Sequence, residues 1–230
     1  THFYSNNYVL KSTIDCYLNI VGIIPARGGS KRIPKKKIKL LKNKPLIAYT
    51  IIEAKKSKLL NSVYVSTEDE KISHTSKKFG INVIKRPKKF AKDTTQGYVP
   101  IQHAIKYLES KYNQIIDVIV VLQPTSPLRK SIDIDNSISE FLNNDCNSLV
   151  SITDACFPPE FMFKIKDKKL NPILKTKLKS KRTQDIPKSY QINGAVYVTK
   201  KKYLMKNNSL LSKNPCFYIM PIERSIDIDN

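Results

Sequence analysis

Residues 20–37, with the sequence IVGIIPARGGSKRIPKKK, organise the rest of the chain. The apolar run at the start of this stretch predicts a buried strand, and Pro25 ends it because proline cannot donate a ladder hydrogen bond. Gly28 and Gly29 then permit a tight turn whose backbone N–H groups can bind an anion. A turn of this kind directly after a strand is typical of the ligand-binding edge of an open α/β sheet. The alternative is a basic surface turn without a ligand, since neither common phosphate-loop motif is present.

Composition limits the class of protein. The 230 residues include 41 Lys and Arg against 19 Asp and Glu, which gives a formal net charge of +22. This charge suits an anionic substrate or nucleic acid. The basic residues are spread over the whole length, however, and an AT-rich genome explains the excess of Lys, Ile and Asn more simply. We therefore expect no nucleic-acid partner. No apolar run reaches the about 18 residues of a membrane helix, so we expect no membrane partner either.

Cysteine usage indicates the compartment. Cys16, Cys146, Cys156 and Cys216 stand far apart and form no C-x-x-C motif. This spacing suits thiols in a reducing compartment and does not suit a zinc site. The N-terminal segment has charged residues inside its only apolar stretch, which is not typical of a signal peptide. We therefore expect a cytoplasmic protein.

Hydrophobic periodicity predicts strands that alternate with helices. Strands are expected near residues 19–25, 62–66, 81–84, 117–122, 148–152, 194–198 and 216–220, and helices near 45–58, 67–80, 97–111, 132–143 and 200–206. Thr67 is predicted to cap the second helix because Glu70 follows three residues later, as in a capping box. The alternation predicts a three-layer α/β fold with a mostly parallel sheet and helices on both faces.

The alternation of strands and helices breaks after residue 153. Residues 154–190 contain four prolines and many lysines, and they are predicted to form a protruding arm. Residues 1–18 show no clear period and are treated as an N-terminal extension without assigned structure. The rest of the chain, residues 19–230, is predicted to form one domain that includes the arm.

The stretch SIDID near the C-terminus offers a candidate metal site. Asp227 and Asp229 alternate with isoleucines, and residues two apart on an extended segment point the same way. Both carboxylates can therefore converge on one cation. The alternative from spacing alone is an exposed acidic strand end.

Taken together, these stretches resemble the acylneuraminate cytidylyltransferases, which make CMP-sialic acid and related CMP-nonulosonates. The matching segments occur in family order between about residues 20 and 229, and they read IIPARGGSKRIPKKKI, VYVSTEDEKI, IKRPKKFAKDT, VVLQPTSPLR, INGAVYV and SIDID. The resemblance implies a nucleotide-sugar-transferase-like fold and transfer of CMP from CTP to the anomeric hydroxyl of a nonulosonic acid, with release of pyrophosphate. It also implies Mg²⁺ as cofactor and a homodimer in which residues 154–190 reach towards the partner's site.

The resemblance also implies the roles of individual residues. The catalytic residues are Arg27, Lys36, Asp227 and Asp229, of which the two aspartates hold the metal. Nucleotide binding is assigned to Arg27, Gly28, Gly29, Ser30, Lys36, Lys37, Arg86, Asp93, Thr94 and Thr95. Sugar binding is assigned to Gln123, Ser126, Arg182, Gln184, Gln191 and Asn193. Two roles stay open for Arg129, which either lines the site or has a structural role.

This chain departs from the family pattern at several positions. Lys37 stands where the family usually has asparagine, Arg182 lies one residue before the usual arginine position, and Gln191 stands where some members have arginine. The chain ends at Asn230, where relatives continue with a helix, which suggests a fragment or a shortened variant. Three alternatives stay open: a non-catalytic nucleotide-binding relative, a 3-deoxy-manno-octulosonate cytidylyltransferase, and a basic nucleic-acid-binding protein. The sequence does not choose among neuraminic, legionaminic and pseudaminic acids.

Overall fold

A computed structural model describes residues 18–29, 33–174 and 186–228. The strands are β1 (Ile20–Pro25), β2 (Leu40–Leu41), β3 (Lys44–Pro45), β4 (Ser62–Thr67), β5 (Asn82–Lys85), β6 (Val118–Leu122), β7 (Ser148–Asp154), β8 (Phe163–Lys166), β9 (Lys169–Pro172), β10 (Tyr190–Lys200) and β11 (Cys216–Ile219). The helices are α1 (Leu46–Lys56), α2 (Glu70–Lys78), α3 (Val99–Tyr112), α4 (Ser131–Asn143) and α5 (Lys201–Asn207). The seven predicted strands and five predicted helices occur in the predicted order, and β2, β3, β8 and β9 were not predicted. Most of the N-terminal extension lies outside the described residues.

A seven-stranded sheet forms the centre of the molecule, in the order β11-β7-β10-β6-β1-β4-β5. β1 runs parallel to β4 and β6, β4 runs parallel to β5, and β11 runs parallel to β7. β10 runs antiparallel to both of its neighbours. The prediction of a mostly parallel sheet is therefore confirmed.

Helices cover both faces of this sheet. α1, α2 and α4 pack on one face with alternate residues of β1 such as Ile24, and α3 and α5 pack on the other with residues such as Ile23. Because both faces are covered, β6 is buried at every position and reads as an unbroken apolar run. This arrangement confirms the three-layer α/β fold. Within the described residues, no helix is long and apolar enough to cross a membrane.

The prediction that Thr67 caps the second helix is wrong. Thr67 still belongs to β4, where it pairs with Lys85 of β5. The chain turns later, and the carboxylate of Asp69 accepts a hydrogen bond from the N–H of Ile72 at 2.8 Å, which caps α2. The Thr67 hydroxyl instead accepts from the N–H of Asp69 at 3.1 Å. Parallel pairing extends the strand beyond the point that local sequence suggests.

The cysteines also differ from the expectation of separate thiols. Cys146 and Cys216 form a disulfide, with Cα atoms 6.1 Å apart and 70 residues between them in sequence. Cys146 precedes β7 and Cys216 begins β11, and the parallel pairing of these strands brings the two residues together. Cys156 is exposed and free, and Cys16 lies outside the described residues.

The predicted arm contains a short hairpin. β7 ends at Asp154 and β10 begins at Tyr190. Between them, β8 and β9 pair with each other, and all of their residues are exposed. The role of this arm in dimerisation stays a prediction.

Candidate active site

A cavity of about 930 Å³ opens at the carboxyl ends of β1 and β6. Its volume suits a nucleotide-sized ligand, and its place is where open α/β sheets bind ligands. The predicted site residues on its walls are Arg27, Lys36, Lys37, Arg86, Asp93, Thr95 and Gln123. Residues spread over about a hundred positions of sequence therefore converge on one space.

The glycine turn after β1 packs closely against the start of α2. The N–H of Gly28 donates to Glu68 Oε1 at 2.7 Å. A Cβ at Gly28 would lie 2.5 Å from Asp69 Oδ2, whereas a Cβ at Gly29 would meet nothing within 4 Å. Glycine is therefore required at the first position by the approach of Asp69, and the second position faces open space. Ser30 lies outside the described residues.

Arg27 and Asp93 connect the glycine turn to the loop before α3. Arg27 Nη1 lies 2.5 Å from Asp93 Oδ1, and the two side chains are 36% and 42% exposed. An exposed ion pair of this kind contributes little to stability, because water screens it. Replacing Asp93 by a phosphate group as the partner of Arg27 would therefore require little free energy.

Lys36 and Lys37 are buried although both are charged. The Lys36 ammonium donates to the carbonyl of Ile228 at 2.8 Å. The N–H of Ile228 donates to the carbonyl of Thr125 at 2.8 Å. The C-terminal segment is therefore held beside the cavity, between the loop after β6 and the turn that contains Lys36 and Lys37, here called the lysine turn.

Arg86 on the cavity wall is held by a carboxylate that lies behind it and that the sequence did not suggest. Arg86 Nη2 lies 2.8 Å from Glu68 Oε2, and the two side chains are only 3% and 12% exposed. Burial and the positive charge of Arg86 lower the pKa of the nearby His103. Glu68 directly follows β4, so its place at the carboxyl end of a parallel strand is the signal that could have found it.

The C-terminal segment is anchored before it reaches Asp227. Arg224 forms a two-point ion pair with the buried Asp133, and Ser225 Oγ accepts from Asn193 Nδ2 at 2.9 Å. Asp227 is exposed, and its negative charge together with burial raises the pKa of Tyr197 on the cavity wall. Asp229 lies outside the described residues. Among the described residues, no group of three or more His, Cys, Asp or Glu side chains forms a metal site.

Arg129 has a structural role, which resolves the alternative that the sequence left open. Its guanidinium is buried and donates to the carbonyl of Ala195 at 2.7 Å and to that of Gln123 at 3.1 Å. It also donates to Thr50 Oγ1 at 2.7 Å. Burial lowers the pKa of Arg129 to about 10. Arg129 thus ties the end of β6 to β10 and α1, and so fixes the backbone that carries the Gln123 side chain.

Several predicted sugar and nucleotide residues do not lie on the cavity wall of the described structure. Ser126 is buried, Thr94 and Gln191 are exposed, and Gly28 and Gly29 are likewise not among the residues that line the cavity. Asn193 is buried, and its side-chain oxygen accepts from Ser151 Oγ at 2.6 Å and from the N–H of Ala195 at 3.1 Å. The Asn193 amide therefore stabilises the irregular part of β10. Arg182 and Gln184 lie outside the described residues, and the sugar-binding roles stay predictions.

Other wall residues were not predicted. They include Phe90, Lys92, Gln96, Gly97, Tyr98, Tyr197, Asn208, Ser209, Leu210 and Leu211. The first five follow β5, so position after a parallel strand is again a usable signal. Asn208, Ser209, Leu210 and Leu211 follow α5 and carry no such signal, because the packing of α5 brings them to the cavity. Gln102 Nε2 of α3 donates to Asn208 Oδ1 at 2.8 Å and joins these two walls.

Comparison with known proteins identifies the family of the chain. Residues 21–226 match the family model described as cytidylyltransferase. The pseudaminic acid cytidylyltransferase of Campylobacter jejuni is 31% identical over 208 residues, which cover 90% of this chain and 89% of that protein. The CMP-N,N'-diacetyllegionaminic acid synthase of Legionella pneumophila is 32% identical over 223 residues, covering 92% of this chain and 91% of that one. Among solved structures, CMP:2-keto-3-deoxy-manno-octonic acid synthetase complexed with CTP has a TM-score of 0.65 at 16% identity, covers 88% of this chain and 90% of its own, and shares the fold. The chain therefore belongs to the cytidylyltransferase family, within which it is similar to the enzymes of the acylneuraminate type.

Proposed function

We propose that this protein transfers the CMP group of CTP to the anomeric hydroxyl of a nonulosonic acid and releases pyrophosphate. The observation that carries the proposal is the convergence of Arg27, Lys36, Arg86 and Gln123 on one cavity. Relatives at 31% and 32% identity over most of both chains are named for CMP transfer to such sugars. In the reaction, the anomeric oxygen forms a bond to the α-phosphorus while the bond from that phosphorus to the pyrophosphate oxygen breaks.

The triphosphate is proposed to lie between the glycine turn and the lysine turn. Phosphoryl transfer of this kind depends mostly on positioning and on stabilisation of charge. Arg27 would leave its exposed pair with Asp93 and bind a phosphate oxygen. Lys36 and Lys37 line the same cavity and supply further positive charge. Arginine suits this role because its planar guanidinium binds phosphate oxygens at two points.

The cytosine is proposed to lie against Arg86 and the loop that contains Asp93 and Thr95. Cytosine presents an acceptor at O2 and a donor at its amino group, and a buried arginine can donate to the former. Arg86 lines the cavity while its Nη2 is held by Glu68. The backbone of the loop would then read the amino group and so separate cytosine from uracil.

We also propose Mg²⁺ as the cofactor, held by Asp227, Asp229 and phosphate oxygens. Mg²⁺ typically takes one or two carboxylates together with substrate phosphates and water. Asp227 fits this set, because it is exposed and directly precedes Ile228, which is hydrogen-bonded to Lys36 and Thr125 of the cavity wall. When bound, the ion neutralises charge on the triphosphate. The protein's part is to hold the carboxylate in place, through the hydrogen bonds of Ile228 to Lys36 and Thr125.

The acceptor, assembly and location are proposed on further grounds. Pseudaminic and legionaminic acids are the first candidate acceptors, because relatives are named for them. The hairpin β8–β9 exposes Ile165 and Leu170, an apolar surface that the second copy in a homodimer would cover. A cytoplasmic location is proposed because the reaction consumes CTP, a cytoplasmic metabolite.

A substrate panel tests this function. The protein is incubated with CTP, Mg²⁺ and, in separate reactions, pseudaminic, legionaminic and neuraminic acids, and pyrophosphate release is measured. We expect release with at least one of the three. Binding of CTP without any release would favour a non-catalytic relative. Release with 3-deoxy-manno-octulosonate alone would favour that acceptor instead.

A further inference from the structure

We propose that Glu68 is a positioning residue that holds the phosphate side and the base side of the CTP site in register. Glu68 would thereby set the affinity for CTP and its preference over UTP. This inference rests on the proposed function, because it concerns the same cavity. It assigns a role to a residue that would not itself contact the substrate.

Glu68 divides its two carboxylate oxygens between two parts of the site. Oε1 accepts from the N–H of Gly28 at 2.7 Å, and Oε2 accepts from Arg86 Nη2 at 2.8 Å. Gly28 belongs to the turn proposed to hold phosphates, and Arg86 to the wall proposed to hold the base. One carboxylate therefore links the two ends of the nucleotide site. Hydrogen bonds to an ionised group are shorter and stronger than neutral ones.

The place of Glu68 is fixed from both sides along the chain. Thr67 before it ends β4 and is buried, and its carbonyl accepts from the N–H of Arg86 at 2.9 Å. Asp69 after it caps α2 through the N–H of Ile72. Glu68 therefore stands between a strand end and a helix start, and little freedom remains for its backbone. A side chain on such a rigid support can position others accurately.

Arg86 depends on Glu68 for its charge balance. The Arg86 side chain is almost fully buried, and its Nε has no hydrogen-bond partner among the described residues. A buried guanidinium without a counter-charge is strongly unfavourable, so loss of the carboxylate would displace it or admit water. Arg86 lines the cavity, and Glu68 lies behind it, outside the described cavity wall. Glu68 therefore acts on the ligand through Arg86 and Gly28.

The expected consequence is a change in binding more than in chemistry. CTP must span the distance from the glycine turn to Arg86, and Glu68 sets that distance. A contact of this kind is made equally in the ground state and the transition state, and its loss raises KM while kcat changes little. A residue needed only for folding would instead lower stability without a selective effect on CTP.

The test compares Glu68→Gln with Glu70→Gln. Glutamine keeps the shape of Glu68 but removes the charge that balances Arg86. Glu70 is a matched control two residues away, because its pair with Lys85 is exposed on both sides. Arg86→Met and the double variant that combines it with Glu68→Gln complete a double-mutant cycle. Calorimetry measures the Kd for CTP and UTP, pyrophosphate release measures KM and kcat, and thermal unfolding of each variant reports stability.

We expect Glu68→Gln to raise the Kd and KM for CTP about 10- to 100-fold, by analogy with residues that orient the ligands of a metal site. The preference for CTP over UTP should shrink, and kcat at saturating CTP should stay within about 3-fold of the parent. Glu70→Gln should match the parent. The double variant should bind CTP no worse than Arg86→Met, because the glutamine oxygen still accepts from the N–H of Gly28 and the lost charge acts through Arg86.

Three outcomes would overturn the inference. One is a parent-like Kd for CTP in Glu68→Gln, even with lower stability. The second is a double variant whose fold-loss of CTP affinity equals the product of the fold-losses in the two single variants. The third applies if Glu68→Gln does not fold. Glu68→Asp, which keeps the charge but is one methylene shorter, then replaces it, and full CTP affinity in Glu68→Asp would overturn the inference. A parent that binds CTP and UTP alike would instead refute the proposed function, which separates the two failures.

Discussion

The anchor between Arg224 and Asp133 should be required both for stability and for the response to metal. Asp133 is fully buried and accepts from Arg224 Nη2 at 2.8 Å and Nε at 3.0 Å. Its remaining donors include the N–H of Lys130 at 2.9 Å and the hydroxyl of Tyr218 at 3.2 Å. Arg224→Met would leave a buried carboxylate without its charged partner.

The magnitude follows from the burial of the two partners. Removing one member of a buried ion pair typically costs about 3–5 kcal/mol. The Arg224 side chain is 28% exposed, so solvent screens part of the interaction, and we expect a loss of about 2–3 kcal/mol in the free energy of unfolding. For a chain of this size, the midpoint of thermal unfolding should fall by roughly 4–12 °C.

The same change should affect catalysis through Asp227. Asp227 follows Arg224 by three residues in the segment that Arg224 anchors. If this segment loosens, the proposed metal ligand is less well placed, and the Mg²⁺ concentration for half-maximal rate should rise several-fold. Urea unfolding and a Mg²⁺ titration of pyrophosphate release measure the two effects.

Lys85→Met serves as the control, because it removes one partner of an ion pair that is exposed on both sides. This variant should unfold and respond to Mg²⁺ as the parent does. An unchanged urea midpoint in Arg224→Met would show that Asp133 does not need the guanidinium. Lower stability with an unchanged response to Mg²⁺ would show that Arg224 does not position Asp227.

Three further predictions concern the proposed site. Arg27→Ala should lower kcat/KM for pyrophosphate release roughly 30- to 1,000-fold, since loss of one transition-state donor costs about 2–4 kcal/mol; near-parent turnover would contradict a phosphate role. Gly28→Ala should raise the calorimetric Kd for CTP because its Cβ would lie 2.5 Å from Asp69 Oδ2, whereas Gly29→Ala should bind as the parent does; equal Kd values would place the phosphates elsewhere. Asp227→Asn should raise the Mg²⁺ concentration for half-maximal rate and leave CTP binding in EDTA unchanged, and a parent-like Mg²⁺ response would move the metal to another site.

Local patterns were sufficient to predict most of the fold. β6 is an unbroken apolar run, and it is buried at all positions between two helical layers. α2 ends at Lys78, close to the predicted end at Gly80, which has a φ of +67° that glycine adopts easily. Arg27, Arg86 and Gln123, which were assigned to the site from separate motifs, line one cavity. Each of these follows strand ends or short-range periodicity, which the sequence carries directly.

Residues far apart in sequence account for what the patterns missed. The Cys146–Cys216 bond depends on the pairing of β7 with β11. Asn208 and the three residues after it reach the cavity because α5 packs beside α3, and Gln102 of α3 donates a hydrogen bond to Asn208. The Asn193 amide stabilises an irregularity of β10 that depends on the neighbouring strand. No spacing in the sequence reports these contacts.

The sequence by itself determined the alternation of strands and helices, the turn after β1 and the family of the chain. These features depend on interactions between residues close in sequence or on motifs read along it. Only the tertiary structure decided that Glu68 joins Gly28 to Arg86. The physical reason is that β1, β4 and β5 lie side by side in the sheet, so their carboxyl ends meet although 40 and 18 residues separate Glu68 from its two partners. Periodicity indicates which face of a strand is buried, but the order of strands determines which side chains meet at its end.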